Sequence, residues 1–264
     1  MDNRPIGVFD SGIGGLTVVD ALSKSLPNET IYYVGDTARV PYGNKSKIRI
    51  QQYASEITNW LSKKDCKIII VACNTVSALA LKYLSSNFSI PIIGVIESGV
   101  NIGIQMNRNN KIAVLGTSAT IRSNAYGEKI KSAKPEILVI SQACPLFVPL
   151  VEEGWIEGKI PMEIAAYYLS NIRKEKVDTV ILGCTHYPLL KKTISKILGE
   201  EVNLVDSGDA VVKNVVLTLE KIKGFSSSKN GQIKCYVTDD PSLFDNIASS
   251  FCLKKTEQAI QIDL

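Results

Sequence analysis

The chain has 264 residues, 45% of them hydrophobic, and a formal charge of +4 from 30 Lys and Arg against 26 Asp and Glu. That is enough apolar chain for one large or two small soluble α/β domains with an ample core. The mild positive excess, densest at Lys45 to Arg49 and Lys63-Lys64, reads as solvated helix faces rather than a nucleic-acid footprint, and no apolar run approaches a membrane span.

The opening M-D-N-R-P leads straight into an apolar strand, without the charged, apolar and small-residue regions of a signal peptide. A cytoplasmic location with reduced thiols is therefore expected. The six cysteines form no C-x-x-C pair. The single histidine, His186, excludes metal sites that need two or more histidines.

In chain order, Ile6 to Phe9 reads as a strand, Asp10 to Gly15 (D-S-G-I-G-G) as a tight turn and Leu16 to Leu26 as a helix. Thr30 to Val34 is a second strand, followed by the turn-rich loop Gly35 to Gly43 and a helix over Ser46 to Ser62. A strand beginning at Ile68 runs up to Cys73, followed by one helix over Thr75 to Ser86. Ile90 to Ile96 reads as a strand closing on Glu97-Ser98-Gly99.

The pattern then restarts. Lys111 to Leu115 is a strand ending in Gly116 to Thr120, with a helix after it, and Ile137 to Ala143 is a strand. Cys144 to Trp155 reads as irregular, and Pro161 to Lys174 as a helix. A strand from Thr179 reaches Cys184 and its helix, and Asn203 to Val205 closes on Asp206-Ser207-Gly208. A helix follows to about Lys223, then a Ser-, Lys- and Gly-rich loop over Phe225 to Gly231. Cys235 to Thr238 reads as a strand, Pro241 to Ser250 as a helix and Glu257 to Ile262 as an edge strand.

Strands alternating with helices predict α/β, doubly wound parallel sheets. The two halves match in order and spacing. Sixty-three positions separate Asp10 from Cys73 and 67 separate Thr117 from Cys184; 24 separate Cys73 from Glu97 and 22 separate Cys184 from Asp206. A duplicated unit of this kind predicts two domains related by a pseudo-two-fold, with the site in the cleft between them. The expected division is residues 1–97 with 208–264, and residues 98–207.

The chemistry gathers at the carboxyl ends of strands, where open α/β sheets bind ligands. I-I-I-V-A-C-N-T at Ile68 to Thr75 and T-V-I-L-G-C-T-H at Thr179 to His186 each run a buried strand into a cysteine and then a helix. A lone cysteine there is ordinarily a small buried hydrophobe, and Cys66, Cys144, Cys235 and Cys252 keep that reading. Cys73 and Cys184 differ because their contexts repeat. A following helix N-terminus is expected to lower each thiol pKa. Two such thiols facing across a cleft can take a proton from one face of a carbon and return one to the other, which is racemase or epimerase chemistry. D-S-G-I-G-G is not a dinucleotide fingerprint, since the third glycine position falls on Thr17, and no Walker pattern is present. Asp10 is suited to a substrate ammonium. Ser11, Asn74, Thr75 and Thr185 are suited to a carboxylate. His186 adjoins Cys184 as a proton acceptor or donor.

At these residues the chain resembles the glutamate racemases. The resemblance rests on D-S-G-I-G-G-L at Asp10 to Leu16, G-D-T-A-R-V-P-Y-G at Gly35 to Gly43 and A-C-N-T at Ala72 to Thr75. It continues in C-P-L-F-V-P-L-V-E-E-G at Cys144 to Gly154 and G-C-T-H-Y-P-L at Gly183 to Leu189. Departures are Val76, where Ala is frequent, and Ser98 after Glu97, where Pro is more usual in what would be the first hinge strand.

The resemblance implies interconversion of L- and D-glutamate for peptidoglycan synthesis. Cys184 would take the α-proton of L-glutamate and Cys73 that of D-glutamate. Asp10, Asp36, Glu152 and His186 would be supporting acids and bases, with Glu153 an alternative to Glu152. Asp10, Ser11, Pro41, Tyr42, Gly43, Asn74, Thr75, Thr117, Thr185 and His186 would form the substrate pocket. The expected partners are the small-molecule substrate and a second copy of the chain in a homodimer, with no nucleic acid, membrane, cofactor or metal. The alternatives are an aspartate racemase of the same superfamily, a non-catalytic amino-acid-binding protein and a nucleic-acid-binding regulator. P-Y-G at Pro41 to Gly43 and T-H-Y at Thr185 to Tyr187 favour glutamate.

Overall fold

A computed structural model describes residues 1–252 and 256–264. The strands are β1 (Ile6–Asp10), β2 (Ile31–Gly35), β3 (Ile68–Val71), β4 (Ile92–Gly94), β5 (Lys111–Gly116), β6 (Leu138–Ala143), β7 (Thr179–Gly183), β8 (Asn203–Asp206), β9 (Ile233–Val237) and β10 (Ile260–Gln261). The helices are α1 (Leu16–Ser25), α2 (Lys47–Lys63), α3 (Asn74–Leu79), α4 (Leu81–Asn87), α5 (Ile96–Met106), α6 (Ser118–Arg122), α7 (Ala125–Ala133), α8 (Phe147–Glu152), α9 (Lys159–Glu175), α10 (Lys191–Leu198), α11 (Ser207–Lys221) and α12 (Pro241–Phe251).

The strands form two parallel sheets, ordered β10-β9-β2-β1-β3-β4 and β6-β5-β7-β8. The second sheet repeats the order of β2-β1-β3-β4 in the first, as the matched halves of the sequence predict. The C-terminal strands β9 and β10 extend the first sheet beyond β2. Central strands are buried on both faces, which is why they read as unbroken β-branched runs. In β3, Ile68 and Ile70 join one core cluster while Ile69 and Val71 join another. The cluster holding Ile68 also takes in Leu115, Leu182 and Cys184 from the second sheet, so one core runs through both halves.

A buried ion pair anchors the C-terminal segment at the amino end of the first sheet. Lys67 Nζ donates to Glu29 Oε2 at 2.5 Å and to the Asp2 carbonyl at 2.7 Å. Glu29 Oε1 in turn accepts from the Ser226 backbone N–H at 2.8 Å. Among the described residues no helix is long and apolar enough to cross a membrane.

Besides the edge strand expected over Glu257 to Ile262, which covers only Ile260–Gln261, four expectations need correction. The helix after Cys73 is two helices, α3 and α4, broken at Ala80 with φ −126°. There Gln51 of α2 donates to the Leu79 carbonyl, which occupies that backbone acceptor at the break. The strand expected over Ile90 to Ile96 covers only Ile92–Gly94. Val95 N–H leaves the ladder for Ser77 Oγ, and Glu97-Ser98-Gly99 lies inside α5 rather than in a hinge strand. The glycines of α5 masked its periodicity; Gly103 is needed because a Cβ there would lie 2.8 Å from the Ile181 side chain. Third, the stretch from Cys144 to Trp155 contains α8, whose Pro149 falls in the first turn, where a missing N–H has no partner to lose. Fourth, Cys184 precedes a 3-10 turn, Tyr187–Leu190, and α10 begins only after it.

Candidate active site

The carboxyl ends of β1, β2, β3, β5, β6 and β7 converge on a cavity of about 330 Å³ between the two sheets. The register aligns these ends. Asp10 pairs with Gly35, Phe9 with Val71, and Gly116 with both Ala143 and Gly183. The residue or two beyond each end therefore arrive at one level.

Cys73 and Cys184 both line the cavity, one from each sheet. Both sulfur-bearing residues are nearly covered, at 5% and 6% exposure. Cys73 Sγ lies 3.7 Å from Ser11 Oγ, and Cys184 Sγ lies 3.9 Å from His186 Nδ1. His186 Nε2 reaches Glu152 Oε1 at 3.1 Å, so thiol, imidazole and carboxylate form a chain on the Cys184 side. Glu152 lines the cavity, while Glu153 is exposed and turned out of it. The His186 ring also meets Phe251 of α12 edge to face, with centroids 5.6 Å apart. Gly14 lets the β1–α1 turn approach, because a Cβ there would lie 2.4 Å from both Thr185 Oγ1 and His186 Nδ1.

Ser11, Pro41, Tyr42, Gly43, Asn74, Thr75, Thr117, Thr185 and His186 all line the same cavity. The halves touch through hydroxyls: Thr75 Oγ1 lies 2.9 Å from Thr117 Oγ1 and 3.1 Å from Thr120 Oγ1. Asp10 and Asp36 are not among the lining residues. Asp10 is fully buried behind the wall, where Oδ1 accepts from Thr185 Oγ1 at 3.4 Å and Oδ2 from the Gly12 N–H at 3.2 Å. Asp36, also fully buried, accepts from Arg39 Nε at 2.7 Å, from Thr238 Oγ1 at 2.9 Å and from the Tyr42 hydroxyl. Its bonds point it toward holding Tyr42 in the wall.

The thiols depart from the expected lowering. Burial pushes the Cys73 thiol up to about 12, and the Asp10 carboxylate adds to the rise; backbone N–H groups of Val76 and Ser11 pull the other way. Burial raises Cys184 well above the ordinary thiol value, against the His186 backbone N–H. The helix at Cys73 has only six residues and the turn after Cys184 only four, so neither gathers the dipole of a long helix. Burial likewise raises the Asp10 carboxyl, with His186 opposing.

Sequence reasoning missed Val40, Asn44, Ser118, Pro145, Val148 and Pro149, which also line the cavity. Pro145, Val148 and Pro149 lay within the C-P-L-F-V-P stretch, and their apolar character read as packing. Among the described residues no three His, Cys, Asp or Glu side chains cluster as a metal site.

Two matched parallel sheets meeting at a cleft with one thiol on each side define the class, an isomerase of the amino-acid racemase type. The family model described as Asp/Glu/hydantoin racemase matches residues 6–215. A glutamate racemase of Geobacter metallireducens is 44% identical over 99% of this chain and 97% of its own length. The solved structure of a glutamate racemase isoform from Bacillus anthracis superposes with a TM-score of 0.96 at 35% identity, covering 100% of this chain and 99% of that one. That of the Francisella tularensis glutamate racemase in complex with D-glutamate superposes with a TM-score of 0.93 at 42% identity, covering 100% and 98%. The chain belongs to the Asp/Glu/hydantoin racemase family and, within it, to the glutamate racemases.

Proposed function

We propose that the protein interconverts L- and D-glutamate by proton transfer between two thiols, without a cofactor, in the cytoplasm, and that it supplies D-glutamate for peptidoglycan synthesis. The observation that carries this reading is the presence of Cys73 and Cys184 in one cavity, at the carboxyl ends of matching strands of different sheets. The D-glutamate complex of the Francisella tularensis relative supports the choice of substrate.

For L-glutamate, Cys184 as thiolate takes the α-proton while Cys73 as thiol gives its proton to the opposite face. The enzyme is left with the protonation states exchanged, ready for D-glutamate. Burial raises both thiols, and in this reading the charge a substrate brings into the cavity favours the thiolate. The ammonium group of an incoming substrate brings positive charge into the cavity that both sulfurs line. His186, with Glu152 behind it, is placed to exchange a proton with Cys184. The hydroxyls of Thr75 and Thr117 offer donors to a carboxylate.

Circular dichroism of L-glutamate, D-glutamate, L-aspartate and L-alanine incubated with the protein, without added cofactor, tests the reading. Loss of optical activity with both glutamate enantiomers is expected. Aspartate, one methylene shorter, leaves donors for the side-chain carboxylate unpaired, at about 1–3 kcal/mol each, and should turn over at least about tenfold less efficiently. Equal specificity constants for the two acids would refute glutamate selectivity, and no racemisation of glutamate would refute the function.

A further inference from the structure

Asn74, 2% exposed at the start of α3, lines the cavity from the first sheet, yet its amide is held by the second half of the molecule. Nδ2 donates to the Tyr126 hydroxyl in α7 at 2.8 Å and to Ser207 Oγ, the first residue of α11, at 3.1 Å. The one hydroxyl proton of Ser207 goes to the Leu182 carbonyl at 3.1 Å. Toward Asn74, Ser207 can therefore only accept, and the amide must face it with nitrogen rather than oxygen. Two acceptors for two N–H groups fix the sense of the amide completely. What remains is Oδ1, a buried oxygen with no hydrogen-bond partner.

A buried acceptor held without a partner calls for a donor that is not part of the protein wall. An α-amino acid has two carboxylates or one, which only accept, and one ammonium group, which donates. We propose that Tyr126 and Ser207 are positioning residues that lock the Asn74 amide so that its oxygen receives an N–H of the substrate ammonium. The proposal rests on the reading of the cavity as an amino-acid site. Neither Tyr126 nor Ser207 lines the cavity, so both act through Asn74. Since both lie in the second half of the chain, the amide is oriented only when the two halves are docked, which ties ammonium recognition to a closed cleft.

Tyr126→Phe and Ser207→Ala each remove one of the two acceptors and let the amide rotate. The Tyr126 ring packs close to Gly183, and phenylalanine keeps that contact. The two variants are compared with the parent protein by racemisation kinetics and by binding of D-glutamate and of glutarate, the five-carbon diacid that lacks the amino group. The expected result is a rise of about tenfold in KM and in the dissociation constant for D-glutamate, with kcat less affected and glutarate binding unmoved. General loosening of the site would weaken both ligands alike. Equal weakening of the two, or no change in either, overturns the proposal. If the parent protein itself does not racemise glutamate, the functional reading falls first and this inference with it.

Discussion

Nε2 of His186 and Oε1 of Glu152 lie 3.1 Å apart, on the side of the imidazole away from the Cys184 sulfur. A carboxylate there can accept a hydrogen bond from the ring and so holds the imidazole in place behind the sulfur. Glu152→Gln keeps an oxygen at the same position but removes the charge. Racemisation by this variant should fall about tenfold or more in kcat, the scale of a weakened general acid–base pair. Glu153→Gln should leave it unchanged, because Glu153 is exposed outside the cavity. Steady-state kinetics of the two variants decide between the neighbouring acids, and equal losses in both would remove Glu152 from its role.

Asp36 is better read as a positioning residue than as an acid or base. Its oxygens are taken by Arg39, Tyr42 and Thr238, and it is fully buried. Asp36→Asn weakens the charge-assisted bonds from Arg39, which keeps Glu56 as its other carboxylate, at a cost of about 1–3 kcal/mol. Urea unfolding should show that loss, and KM should rise as Tyr42 shifts in the cavity wall. An unfolding curve identical to the parent's, together with a collapse in kcat, would restore the acid–base role.

Burial also shapes stability at alkaline pH. Cys66 and Cys235 have thiols pushed up to about 12 from an ordinary value of 9.0. Above pH about 9 the unfolded chain loses these protons while the folded chain keeps them, so the unfolded state binds fewer protons. This contribution to stability is fully present below pH about 9. It falls by up to about 1.4 kcal/mol per pH unit per thiol as pH rises toward about 12. Urea unfolding of the parent and of Cys235→Ala at successive pH values from 8 to about 10.5 measures it. The variant should show the shallower decline, and parallel slopes would contradict the argument.

The sheets were legible because parallel strands buried on both faces leave long β-branched runs, as at Ile68 to Val71 and Thr179 to Leu182. The pairing of Cys73 with Cys184 was legible because the halves repeat the same order of elements. What was not legible depended on contacts remote in sequence. The break at Ala80 accompanies a bond from Gln51, and Gly103 of α5 admits the Ile181 side chain. The amide of Asn74 is turned by Ser207, 133 positions away. The thiol pKa direction failed for a similar reason: local sequence shows a helix start, but only the packed structure shows how far water is excluded from the sulfurs.

The division of labour between the thiols needs a substrate that breaks the symmetry of the reaction. L- and D-glutamate have equal free energies, so kcat/KM must be the same in both directions for the parent and for every variant. Racemisation kinetics alone therefore cannot assign a cysteine to a face. Cys73→Ser and Cys184→Ser keep the size of each side chain but replace the thiol by a hydroxyl that ionises far less readily, so racemisation should collapse in both. Glutamate bearing chlorine at the β-carbon removes the need for the second thiol. Once the α-proton is taken, the electron pair expels chloride and forms an enamine, which tautomerises and hydrolyses to 2-oxoglutarate and ammonia. With Cys184 serving the L-face, Cys73→Ser should process the chlorinated substrate of L-configuration much faster than Cys184→Ser does. With Cys73 serving the D-face, the order should reverse for the D-enantiomer. Release of 2-oxoglutarate from both enantiomers in both variants gives four rates. A crossed pattern supports two bases; a variant dead toward both enantiomers, beside one active toward both, would put a single base in their place.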